Sequence, residues 1–220
     1  MSTPDGLADR EASYEVRDST TVLRTRQVID VRTDAVVFPD GSTATRDVVV
    51  HPGAVGIVAL DADERVLLLQ QYRHPVRRLL WEPPAGLLDV AGEDPLETAK
   101  RELYEEAHYQ AARWDVLVDV FSSPGMTDES VRIYLARDVR PADGPRHEAT
   151  DEERDMPVRW VALDAAVEAV LAGRMHNPLA IMGTLATARA RERGYDGLRP
   201  GTAPWPEMSP WPGSRAANAD

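Results

Sequence analysis

The chain is expected to fold as an α+β protein, an α/β/α sandwich on a mixed sheet, preceded by a small antiparallel β-subdomain. Three observations lead there. Stretches of β-type sequence come first, one acid-rich helix follows, and further strands and helices close the chain, an order that suits a layered mixed sheet and contains no internal repeat. Several of the β-type runs are apolar throughout, as strands covered on both faces are. With 220 residues and 43% hydrophobic content, the chain can fill one main core.

The segment MSTPDGLADREASYE is polar and acidic, unlike a secretory leader. From about Thr21 to Val50, apolar and polar residues alternate with β-branched enrichment, and Asp40-Gly41 marks a turn. Residues 1–50 are therefore read as an N-terminal β-subdomain with a flexible start. After His51-Pro52-Gly53, the runs at 54–60 and 65–72 flank the turn sequence DADE and read as a hairpin of buried strands. They open the main domain, residues 51–194. Further strands are expected at 115–121, 131–137 and 156–163, and helices near 164–173 and 177–193, the second capped by Asn177-Pro178. Beyond Gly194 the chain is rich in Pro and small residues, so 195–220 is read as a loosely held tail with Trp205 and Trp211 as docking points.

Between these strands lies the segment GLLDVAGEDPLETAKRELYEEAHY, from Gly86 to Tyr109. Asp94, Pro95 and Glu97 fit the N-cap, the first helical position and the capping-box partner. At 100° per residue, Glu102, Glu105 and Glu106 project to one face, while Leu96, Ala99, Leu103 and Ala107 point about a third of a turn away. One face buries and the other gathers negative charge. Arg101 lies within reach of Glu97 or Glu105 and can brace the acids. An isolated pair of glutamates is ordinarily solvated surface; three convergent carboxylates make a candidate divalent-metal site.

Composition excludes several classes. A formal net charge of -12, with no Lys/Arg cluster, argues against nucleic-acid or anionic-membrane binding. The absence of cysteine rules out disulfides, thiolate catalysis and cysteine metal sites. No apolar run reaches spanning length, and the protein is expected to be cytoplasmic.

The acid segment resembles the signature of the Nudix hydrolases, G-x5-E-x7-R-E-U-x-E-E-x-G-U with U aliphatic. Gly86 opens it, Glu93 is the first acid, seven residues intervene, and Arg101, Glu102, Leu103, Glu105 and Glu106 follow in order. Two departures occur: six residues rather than five separate Gly86 from Glu93, and His108 replaces the closing glycine. A longer loop costs little, and His can enter the left-handed region at a helix end. The resemblance covers about 46–193 and sharpens toward ADP-ribose pyrophosphatases in QQYRHPVRRLLWEPPAGLLD and SSPGMTDES.

This resemblance implies divalent-metal-dependent hydrolysis of the pyrophosphate bond of ADP-ribose to AMP and ribose 5-phosphate. The implied cofactor is Mg2+ or Mn2+, held by Glu102, Glu105, Glu106 and the Ala85 carbonyl, with Glu105 between ligand and water orienter, and Glu93 supporting the loop. Arg73 is implied on phosphate, Glu82 and Glu129 on ribose hydroxyls or the adenine amine, and Gly86 and Gly125 against the substrate. Ser122 or Thr127 are further candidate phosphate donors, set against an ordinary turn. In the acidic run at 149–157, Glu152 is the first choice of general base and Glu153 the second, with His147 as an auxiliary. The implied assembly is an intertwined homodimer built through the N-terminal sheet. Alternatives are another nucleoside diphosphate derivative as substrate, such as a sugar nucleotide or NADH, or a non-catalytic module that senses ADP-ribose.

Overall fold

A computed structural model describes residues 7–24, 29–145 and 156–208. The N-terminal sheet is an antiparallel meander of β1 (Val16–Arg24), β2 (Asp30–Val37) and β3 (Thr43–Val50), turning at Asp40-Gly41 between the last two. It starts earlier than the alternation suggests, and every residue of β1 is exposed.

The body holds two sheets. β4 (Ala54–Ala59), β7 (Ala85–Leu87), β8 (Tyr109–Phe121), β9 (Ser130–Pro141) and the short β11 (Arg199–Pro200) form one, in the order β11-β8-β9-β4-β7. β4 and β9 run parallel and the other pairs antiparallel, which makes the sheet mixed. β5 (Arg65–Arg73), β6 (Arg78–Glu82) and β10 (Val158–Ala162) form the other sheet, with β5 in the middle. β6, β7 and β11 are short, β7 contains Gly and β11 Pro, and sequence pattern gave no sign of them.

Period-two alternation distributes the core. Val55, Ile57 and Ala59 of β4, with Tyr134 and Ala136 of β9, pack with Leu96, Ala99, Leu103 and Ala107 of α1 (Pro95–Ala107). Val58 of β4, with Ile133 and Leu135 of β9, packs in a second cluster with residues of α2 (Leu163–Leu171) and α3 (Pro178–Arg191). All six residues of β4 are buried, which explains its unbroken apolar sequence. Helix, sheets and helix pair therefore stack as the expected three layers.

Three local expectations are corrected. Glu97 does not close a capping box but pairs with Lys100 at 2.7 Å, while Asp94 alone accepts from the Leu96 N–H at 2.8 Å. Arg101 reaches Glu105 as expected, but its other partner is Glu93 in place of Glu97. The third correction concerns the tail, which is packed on the body as far as Met208. Arg199 and Pro200 pair with Val116 and Asp115, and the Gly201 N–H donates to the Trp114 carbonyl at 2.9 Å. Buried Arg132 donates to the carbonyls of Ala203 and Pro204 at 2.7 and 3.1 Å and lies over the Trp205 ring at 4.7 Å. A buried guanidinium needs acceptors, and this segment supplies them together with an aromatic face. Trp211 lies outside the described residues.

Candidate active site

The helix that carries the acids begins at a well-capped N-terminus and ends where His108 takes a left-handed conformation, φ 57°, as the position of the family glycine requires. Between these ends, α1 lies over β7 and presents Glu102 and Glu106, one turn apart, to consecutive residues of that strand. The Glu106 Oε2 accepts from the Ala85 N–H at 2.9 Å. Glu102 lies so close to Gly86 that a β-carbon there would fall within its carboxyl group. Gly86 is thus required for close approach: Glu106 sits on the N–H of the Pro84–Ala85 peptide and Glu102 against the next residue, so the two carboxylates flank Ala85 and Gly86.

Arg101 organises the rest of the acids. Its guanidinium donates to both oxygens of Glu93 at 3.1 and 3.0 Å, to Glu102 at 2.6 Å and to Glu105 at 3.1 Å. The Arg101 bond holds the Glu93 carboxyl below its usual range, and Glu93 in turn raises the basicity of the guanidinium. Glu93 also accepts from the Thr98 hydroxyl at 2.9 Å, which ties the loop to the first helical turn. Glu102 and Glu105 are thereby both held by Arg101, Glu102 also lies against Gly86, and Glu106 stays on Ala85. Among the described residues, no three acidic or histidine side chains converge on one point. The donor set between α1 and β7 nevertheless suits a hard divalent cation, because Glu102, Glu106 and the Ala85 carbonyl offer only oxygen.

Two further residue groups flank this helix. Arg73, at the end of β5, makes a two-bond fork to buried Glu82 at 2.9 and 2.6 Å. Sequence reasoning assigned these residues separate ligand contacts; the structure makes them one unit. Glu82 leads through Pro83 and Pro84 directly into Ala85, so the fork sits at the entrance to β7.

The third group is the segment from Ser122 to Ser130. The Ser122 hydroxyl donates to Glu129, the Glu129 N–H donates to Thr127 Oγ1 at 3.1 Å, and His51 Nδ1 lies 3.4 Å from the Glu129 carboxylate. Both hydroxyls that were candidate phosphate donors are therefore engaged within the segment. Gly125 is exposed with open space around it. Across the sheet, Val131, Ala54 and Leu87 are register partners on neighbouring strands. A β-carbon on Gly53 would contact both the Ser130 carbonyl at 3.1 Å and Leu88 at 3.4 Å. The Glu129 segment and the Gly86 loop thus emerge at the same end of the sheet, on either side of Gly53.

His51, Arg32 and Asp128 also enter this region and were not singled out from sequence. Their positions depend on pairing between the N-terminal sheet and the body, which no local pattern carries. Glu152, Glu153 and His147 lie outside the described residues.

The NUDIX domain family matches residues 50–180, more than half of the chain. An ADP-ribose pyrophosphatase of Mycobacterium tuberculosis is 46% identical over 195 residues, 89% of this chain and 92% of the relative. An ADP-ribose pyrophosphatase of Bacillus subtilis is 35% identical over 66% of this chain and 76% of its own. A solved structure described as an ADP compounds hydrolase superposes with a TM-score of 0.66 over 85% of this chain and 99% of its own, at 21% identity, a likeness of fold. Joined to the acid helix laid over Gly86, these matches establish that the chain belongs to the Nudix family and is a Nudix hydrolase.

Proposed function

We propose that this Nudix hydrolase cleaves the pyrophosphate bond of ADP-ribose to AMP and ribose 5-phosphate with Mg2+ or Mn2+. The observation that carries the reading is the match to the mycobacterial ADP-ribose pyrophosphatase over 195 residues. An alignment of that length in a 220-residue chain takes in the acid helix, the Arg73–Glu82 fork and the Glu129 segment together.

A divalent cation, when bound, neutralises charge on the diphosphate and acidifies a water. Glu102, Glu106 and the Ala85 carbonyl are its proposed donors. Arg101 spaces Glu102 and Glu105 and offsets their mutual repulsion. In this reading Glu82 fixes the plane of the Arg73 guanidinium, a prerequisite for directed phosphate contact. Glu129 accepts from a ribose hydroxyl or the adenine amine. Proton removal from the attacking water is assigned to Glu152, or to Glu153 if the register of that acidic run shifts by one.

The N-terminal β-subdomain, residues 1–50, is proposed as the dimerisation element; the exposure of every residue of β1, including Val16, Val22 and Leu23, supports it.

The test is hydrolysis of ADP-ribose, NADH and sugar nucleotides with Mg2+ and with Mn2+, products identified chromatographically, beside a Glu106→Gln variant. ADP-ribose is expected as the preferred substrate, and Gln, which still accepts from Ala85, should lower turnover on the order of 10²-fold while the protein stays folded. Preferential cleavage of another compound would replace ADP-ribose in the reading, and a fully active variant would remove Glu106 from the site.

A further inference from the structure

The N-terminal sheet sends one buried ionic chain into the body. Arg32, on the middle strand β2, donates from Nε to Asp34 Oδ2 at 3.0 Å, and Asp34 Oδ1 accepts from the Ser19 hydroxyl of β1 at 2.6 Å. The Arg32 Nη1 lies 3.8 Å from Asp128 Oδ2, and the three side chains are between 8% and 16% exposed. Asp128 Oδ1 accepts from the His51 N–H at 2.9 Å. Backbone bonds fasten the same place: the Val49 N–H donates to Met126 at 2.8 Å, and the Asp128 N–H to Val49 at 3.3 Å.

Residues 126–128 thus run beside the end of β3, with Val49 and Thr127 forming a parallel bridge. Successive residues of an extended segment project to opposite sides. Asp128 meets Arg32, while Glu129 meets the His51 ring and Ser122. Burying an arginine between two carboxylates is unfavourable unless the geometry is good, and removing the cation leaves two like charges facing each other. A three-stranded sheet has no need of such a chain for its own folding. Its far end is the residue next to the proposed recognition carboxylate.

We infer that Arg32 is a positioning residue for substrate binding: by holding Asp128, it sets the conformation of the segment that presents Glu129. The inference deepens the proposed function and rests on its assignment of Glu129 to substrate contact. The N-terminal sheet then tunes affinity for the nucleoside diphosphate within its own chain.

The experiment compares wild type, Arg32→Met, Arg32→Lys, Asp128→Asn and the Arg32→Met/Asp128→Asn double variant by steady-state kinetics on ADP-ribose with Mg2+ and by amide hydrogen exchange. Arg32→Met should raise KM about tenfold with kcat changed less than about threefold, because it disturbs binding geometry rather than the acids of α1. Lysine should restore part of the affinity. The double variant should be no worse than Arg32→Met alone, since Asn removes the uncompensated charge. Exchange should accelerate at 49–51 and 126–130 and stay unchanged along 54–59.

Additive effects, a loss confined to kcat, or unaltered exchange at 126–130 would overturn the inference. Should Arg32→Met not fold, Asp128→Asn decides by the same pair of readouts. Should wild type leave ADP-ribose intact, the substrate reading fails on its own, and the exchange data still decide whether Arg32 holds the segment.

Discussion

The Glu102 carboxyl group rests on the backbone of Gly86 with no room between them for a β-carbon. A helix side chain and a strand residue thereby share one surface, and the acid is placed by contact as well as by charge. Gly86→Ala should displace Glu102 and destabilise the fold by about 1–3 kcal/mol, the usual range for overpacking. Turnover should fall further than stability alone explains. Kinetics and thermal melting of the one variant check both; an active Ala variant would mean that Glu102 has an alternative position of equal use.

A pH effect follows from Glu93. The Arg101 bond lowers its carboxyl below the usual 4.5, against the opposing effect of burial. A depressed folded value means that the stabilisation is present above about 4.5 and is lost as pH falls through the lowered value. Melting temperature measured from pH 6 to pH 3 should therefore drop more steeply for wild type than for Glu93→Gln. Parallel curves would show that the brace contributes nothing to acid sensitivity.

Much of this arrangement is legible in the chain. The spacing of Glu102, Glu105 and Glu106 on a capped helix, and the runs that become β4, β5 and β9, are local properties, so sequence pattern carries them. The Arg73–Glu82 fork is not, because it joins residues on two strands through a hairpin whose short second strand gave no signal. Arg32 is further removed: nothing near it in the chain indicates that it will meet Asp128. The tail misled for a different reason, since Pro-rich composition speaks of local order, whereas the stacking of Trp205 on Arg132 is a tertiary contact.

That contact predicts a stability effect of its own. Trp205→Ala removes the aromatic cover of a buried guanidinium and should cost about 3–5 kcal/mol, as large aromatic truncations in cores do. Urea denaturation checks it. A shift below about 1 kcal/mol would place the segment from 199 to 208 outside the cooperative unit.

The exposed first strand carries a prediction about assembly. Val22 is 58% exposed and Leu23 51% on a strand that, among the described residues, stands at the edge of its sheet beside β2. Light scattering should give twice the single-chain mass, and Val22→Asp should move the population toward monomer. A wild-type monomer at micromolar concentration would contradict the proposed dimer.

Glu102 and Glu106 are proposed to hold a divalent cation against a diphosphate beside Ala85 and Gly86. A crystal structure with Mg2+ and a nonhydrolysable ADP-ribose analogue tests it most directly. The account predicts metal density within about 2.0–2.1 Å of an oxygen of each glutamate, with the diphosphate on the opposite side of the ion. Both carboxylates remaining on Arg101 and Ala85, with the ion and the diphosphate bound elsewhere, would contradict it.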